Sequence, residues 1–144
     1  MKLYTIVNMY YSGSSVGAQC QHGISELFIK YDPSSREWAE VHEWARSHKT
    51  VVNIRGGGHP DMLVLEQELI GMKVPFSVFR ESSNNDSLSV ISFVMDTQHV
   101  TLMEQVRKEK LNELDVLRIA EQNGFRLKCT PQFLLYVAYS RLVS

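Results

Sequence analysis

Apolar side chains recur along this chain with two periods, and the switches between them divide it into elements. Residues 2–10, opening Lys2-Leu3-Tyr4-Thr5-Ile6-Val7, have the pattern of a buried strand. Val16, Cys20, Ile24 and Leu27 follow at helical spacing, which predicts a first helix over 15–30 with Ser14 or Ser15 as its N-cap. The small Gly17 and Ala18 are expected to let that helix start close to the sheet. Pro33 breaks the chain. Ser34-Ser35-Arg36-Glu37 is a capping box, and Trp38, Val41, Trp44 and Ala45 form the apolar stripe of a second helix over 35–48. Thr50–Ile54 is a short β-branched strand, Gly56-Gly57-Gly58 a turn, and Pro60 suits the start of a third helix over 60–72. Met62, Leu65, Leu69 and Met72 mark its core face. Val74–Phe79 and Leu88–Met95 are strands joined by the polar loop Ser82–Ser87, which predicts an antiparallel pair. From Asp96 a fourth helix runs to about Lys110, with Val100, Met103 and Val106 on one side.

The order β-α-α-β-α-β-β-α over residues 1–110 predicts an α/β fold, a three-layer α/β/α arrangement around a four-stranded mixed sheet. Residues 111–144 form a helical extension. Leu111, Leu114, Leu117 and Ala120 are periodic, Gly124 stops that helix, and Thr130-Pro131 opens a last one over Gln132–Leu142. The run Phe133-Leu134-Leu135-Tyr136-Val137-Ala138-Tyr139 is apolar on every side. It predicts a helical hairpin that docks on the domain or covers a partner chain. A homo-oligomer follows from the second option, most simply a twofold dimer in which residues 131–142 contact the partner.

Composition narrows the function classes. Of the 144 residues 44% are hydrophobic and 22% charged, which is ordinary for a globular protein. The net charge of −1 provides no broad basic field for a polyanion, so any nucleic-acid contact is local or the ligand is small. Cys20 and Cys129 are too few for a disulfide framework, and Cys20 falls on an apolar helix face, so a buried thiol and a reducing cytoplasm are expected. No apolar run approaches the roughly 20 residues that span a bilayer, so no membrane partner is expected. The five histidines and two cysteines lack metal-ligand spacing, and neither a metal nor a cofactor is expected.

The string Val16-Gly17-Ala18-Gln19-Cys20-Gln21-His22-Gly23, after a strand and a Ser/Gly turn, resembles the strand–turn–helix of type 2 peptidyl-tRNA hydrolases. Trp44-Ala45-Arg46-Ser47-His48-Lys49-Thr50-Val51-Val52 is similar to that family's helix end and second strand, and the element order over residues 1–110 is the family's. The resemblance implies a site that cleaves the ester between a peptide and the tRNA 3′ end, with a lysine in the first turn and an aspartate after the third strand. Gln19 matches the family's glutamine, and Glu81 stands where the aspartate would be. Ser14 and Ser15 occupy the lysine's turn, and the family's Arg-Thr-Gln string is missing. A serine cannot supply the lost charge, and losing one oxyanion-stabilising donor costs about 3 kcal/mol.

These departures point to a pocket put to another use. The two loops offer Tyr10, Ser12, Ser14, Ser15, Gln19, Arg80, Glu81, Asn84, Asn85 and Asp86. Hydroxyls and amides can contact a base and ribose, Tyr10 and Tyr11 can stack, and Arg80 can take a phosphate beside the first helix's N-terminus. The expected function is a non-catalytic or altered-catalysis protein that captures a nucleotide-type small ligand, as phage anti-defence sponges do. The alternative is a divergent peptidyl-tRNA hydrolase using Gln19 and Glu81, and a third is a protein-interaction module built on the tail. Arg55-Gly56-Gly57-Gly58-His59 is a weaker phosphate cradle, matching neither the P-loop nor the dinucleotide fingerprint. His22 is expected to be a packed residue. Ile119–Phe125 resembles the start of a helix-turn-helix, but Pro131 falls where the recognition helix should run and only Arg126 and Lys128 bring charge.

Overall fold

The computed structural model describes residues 1–143. Strand β1 (Lys2–Val7) lies at the centre of a mixed sheet, parallel to β2 (Val51–Arg55) and antiparallel to β4 (Ser87–Met95), which pairs with β3 (Phe76–Glu81). The order is β2-β1-β4-β3. Side-chain alternation assigns the two layers. Leu3, Thr5 and Val7 face helices α1 (Ser14–Lys30) and α2 (Arg36–Glu43), whereas Tyr4 and Ile6 face α3 (His59–Ile70), α4 (Thr97–Glu109) and α6 (Pro131–Ala138). Helix α5 (Glu113–Gln122) packs beside α6. The fold is the expected three-layer α/β/α arrangement with a helical C-terminal part.

Several boundaries differ from the pattern for local reasons. Strand β1 stops at Val7 because Asn8 turns the chain, its Oδ1 accepting the Tyr10 N–H at 2.9 Å. Helix α2 continues as a π-helical turn over Trp44–His48, closed by Lys49 at φ 60°. Strand β3 runs on through Arg80 and Glu81. Helix α1 is capped by Gly13 at φ 56°, with no side-chain cap; Ser15 instead turns back to Ser12, its Oγ donating to the Ser12 carbonyl at 2.6 Å. The close approach of α1 to the sheet is also not at Gly17 and Ala18, which are exposed. It is at Gly23, where a Cβ would lie 2.5 Å from Ser92 Oγ and 2.8 Å from Val90 Cγ1.

The tail docks on its own domain. Phe133, Leu134, Val137 and Ala138 are buried with Phe93, Met103 and Val106 in one core. Tyr139 donates its hydroxyl to the Leu111 carbonyl at 2.8 Å. The apolar run therefore has its partner surface within the same chain. Helix α6 ends at Ala138, short of the expected Leu142. Residues 141–143 then run antiparallel beside β2, with Arg55 N–H donating to the Arg141 carbonyl at 2.8 Å and Val143 N–H to the Asn53 carbonyl at 2.9 Å. Leu114 and Leu117 of α5 stay exposed. Among the described residues no helix is long and apolar enough to cross a membrane.

Candidate functional site

Three loops leave the sheet where β1 and β2 end, and they meet at a β-bulge. Phe79 pairs with Val90 and Arg80 with Leu88, so Ser89 is skipped on β4. The extra residue puts Leu88 in the α3-side core and Val90 against α1. It also frees Leu88's backbone, which the other loops take up. The Leu88 N–H donates to His59 Nδ1 at 3.0 Å, and its carbonyl accepts from Asn8 Nδ2 at 2.9 Å. Met9 N–H donates to the Gly57 carbonyl at 3.0 Å. Gly56 is required where these loops cross, since a Cβ there would sit 2.9 Å from both Ile6 Cγ2 and the Val7 carbonyl oxygen.

On the α3 side of this joint is a cleft of about 380 Å³ lined by Asn8, Met9, Tyr10, Gly58, His59, Asn84 and Ser87. Crevices beyond the carboxyl ends of strands are the usual ligand positions of open α/β sheets. Tyr10 is 71% exposed and stands at the rim. Asn84 donates through Nδ2 to Ser87 Oγ at 3.0 Å, which leaves its amide oxygen as an acceptor. Because His59 Nδ1 accepts a backbone N–H, the neutral ring carries its proton on Nε2; this tautomer is assigned from the hydrogen-bond network. His59 thus brings a donor to the cleft rather than a base.

On the α1 side, Gln19 Nε2 donates to Glu81 Oε2 at 3.1 Å, and Glu81 Oε1 accepts from Ser83 Oγ at 3.0 Å. The bond from Gln19, then those from Ser83, then the field of His22 hold the Glu81 carboxyl below its usual range, so it is a carboxylate with both oxygens engaged. Gln19 is buried, and its Oε1 has no partner among the described residues. His22 stacks on Phe79 with centroids 4.5 Å apart but is exposed, not the packed residue expected. Burial pushes the Cys20 thiol up, and Thr5 is its hydrogen-bond partner.

Other expected residues are placed differently. Arg80 joins neither Gln19 and Glu81 nor the lining of the cleft: neighbours on a strand point to opposite faces, so Glu81 meets α1 while Arg80 reaches along α3, where Nη2 contacts Glu66 Oε1 at 2.7 Å. Asn85 and Asp86 have φ of 52° and 54° and form the exposed turn of the hairpin. Ser12 and Ser14 are exposed at the start of α1. Tyr11 is buried, so Tyr10 is the free ring of that pair. The cation at this loop is Arg55, whose Nη1 donates to the Tyr11 carbonyl at 2.9 Å. The glycine-rich segment 55–59 and the loop after β1 are therefore one rim. The sequence signal for it was present in Arg55-Gly56-Gly57-Gly58-His59, without the contacts that join it to Asn8 and Leu88.

The helix-turn-helix resemblance does not extend past the turn. Lys128 is paired with Asp96 at 2.7 Å and Glu40 at 3.3 Å, and the helix that follows buries Phe133 and Leu134. Among the described residues no cluster of His, Cys, Asp or Glu could hold a metal ion. No known protein family matches the chain, and no curated protein matches it.

Proposed function

We propose that the protein captures a nucleotide-type small molecule in the cleft between Tyr10, His59 and Asn84, and that sequestration rather than ester cleavage is its task. The observation that carries this reading is the bond from Leu88 N–H to His59 Nδ1, which leaves the proton on Nε2 of a ring that lines the cleft together with the Asn84 amide. A nucleobase edge presents acceptors beside donors and complements that pair. The exposed Tyr10 ring adds a stacking surface, worth about 1–3 kcal/mol per base. Arg55 lies on the α1 side of the sheet and holds the Tyr11 carbonyl, which steadies the loop that carries Tyr10. The binding of a signalling nucleotide, as by a phage anti-defence sponge, is the setting this reading implies. Calorimetry with nucleosides and with mono-, di- and cyclic nucleotides tests it; saturable binding abolished by Tyr10→Ala supports it, and heats of dilution alone refute it.

One observation favours the divergent peptidyl-tRNA hydrolase as a second reading. Arg55 beside the Tyr11 carbonyl supplies a cation near the turn that holds Ser14 and Ser15, and the Gln19–Glu81 pair offers a carboxylate to orient water. Cleavage of peptidyl-tRNA that is lost in Glu81→Ala would make this reading primary.

A further inference from the structure

A second recess lies at the other end of β1, between α4, α6 and the face that β1 and β2 turn toward them. It is a cavity of about 130 Å³ with an aliphatic wall formed by Val52, Ile54, Met103, Val137, Ala138 and Leu142. One polar group stands within it. Tyr4 is 7% exposed, its ring stacked on Phe93 with centroids 5.2 Å apart. Its hydroxyl has no hydrogen-bond partner among the described residues, and burial, followed by the field of Glu104, pushes its pKa up to about 12. The phenol is therefore an O–H donor facing the recess.

The mouth carries Lys2, Glu104, Arg107 and Ser140, whose hydroxyl is already donated to the Tyr136 carbonyl. Lys2 is already engaged with Glu104, Nζ to Oε1 at 3.2 Å. Arg107 has no ion-pair partner among the described residues, and it lies one helical turn from Met103, on the same side of α4. The uncommitted polar groups are then both donors, a phenol O–H and a guanidinium. A guest has to bring acceptors and a negative charge on a compact hydrocarbon body. Phosphate has no such body for the aliphatic wall. The volume approaches that of protein cavities of roughly 150 Å³ that hold a benzene-sized guest.

We propose that this cavity binds a small branched aliphatic carboxylate, its carboxylate between the Tyr4 hydroxyl and the Arg107 guanidinium, its hydrocarbon on Ile54, Met103 and Val137. The site is separate from the cleft at the far ends of β1 and β2, so it stands whether or not that cleft takes a nucleotide.

Methyl NMR of the full chain, read at Met103 and Ala138, tests this with three probes: isovalerate, isoamyl alcohol and inorganic phosphate. Isovalerate should shift both methyls saturably, the alcohol should bind at least several-fold more weakly, and phosphate should leave them in place. Arg107→Gln should weaken isovalerate about tenfold, the usual worth of one charge-assisted hydrogen bond. Tyr4→Phe, which keeps the ring on Phe93, should weaken it by a smaller factor. The proposal is overturned if no probe shifts the methyls, if the alcohol binds as tightly as the acid, if phosphate alone gives the same shifts, or if both variants bind isovalerate like the parent chain.

Discussion

His59 accepts the Leu88 backbone N–H through Nδ1 at 3.0 Å, and this bond decides what the other ring nitrogen can do. A bulge in β4 frees the Leu88 amide, the imidazole takes it up, and the proton on Nε2 is left for the cleft. One side chain thus serves the fold with one nitrogen and keeps the other free for the guest we propose.

The two roles are separable. His59→Asn keeps an acceptor near the Nδ1 position and removes the Nε2 donor. It should leave the melting temperature nearly unchanged while lowering nucleotide affinity about tenfold. His59→Ala should lose the affinity and also about 1–3 kcal/mol of stability, because Leu88's amide is left without a partner. Calorimetry paired with urea denaturation of both variants checks this.

Arg55 and Arg80 should behave oppositely. Arg55→Ala should weaken nucleotide binding by up to about 1.5–3 kcal/mol, because the loop that carries Tyr10 loses the charged hydrogen bond at the Tyr11 carbonyl. Arg80→Ala removes a partly exposed pair with Glu66 on α3, outside the residues that line the cleft. It should leave binding alone and cost at most about 1 kcal/mol of stability. A larger binding loss from Arg80 than from Arg55 would contradict the placement of the cradle.

Two glycines of α1 give a contrast in sign. Gly23→Ala drives a methyl into Ser92 Oγ and Val90 Cγ1, and should destabilise by about 1–3 kcal/mol. Gly17 has no atom within 4 Å of a built Cβ, so Gly17→Ala should stabilise by about 0.5–1 kcal/mol through helix propensity. Chemical denaturation of the two single variants measures both.

Acid should loosen the loop that precedes α6. Burial disfavours ionised Asp96, but bonds from His99 and Lys128 outweigh that and hold its carboxyl well below the usual range. His99 donates to Asp96 through Nδ1 at 2.7 Å and accepts the Lys128 N–H through Nε2 at 3.0 Å. A carboxyl whose folded pKa is depressed stabilises fully above its unfolded value, near 3.9, and loses that contribution as the pH falls below it. Stability should therefore be flat from about pH 5 to neutrality and fall below about pH 4. Asp96→Asn should cost about 1–2 kcal/mol at neutral pH and flatten the acid limb of a pH-dependent denaturation series.

A chain ending at Lys110 should not fold. It lacks Phe133 and Leu134, both 0% exposed, along with Val116, Ile119 and Val137. Each fully buried side chain is worth about 1.5–3 kcal/mol, against a whole-domain stability of about 5–15 kcal/mol. Near-UV circular dichroism that matches the full chain would overturn this.

Much of the architecture was legible because period and burial coincide. The stripe Met62, Leu65, Leu69 and the stripe Val100, Met103, Val106 are both buried, and each fixes which way its helix faces. Adjacency misled where parity rules: Arg80 follows Phe79 and precedes Glu81, yet its side chain leaves by the opposite face. For α6 composition left docking on the domain or on a partner chain open, and the run packs into the core of its own chain. The joint of Asn8, His59 and Leu88 was invisible because a bulge has no period. It depends on one unpaired residue, Ser89, in an otherwise regular apolar strand.

The strip formed by residues 141–143 along β2 has a consequence for biogenesis. During synthesis β2 emerges long before the segment that lines its outer side, so for most of translation that side is an open template for any extended chain. The nascent protein should be most prone to co-aggregate in that interval, and ribosome-bound chains halted before Arg141 should recruit chaperones that the released protein does not.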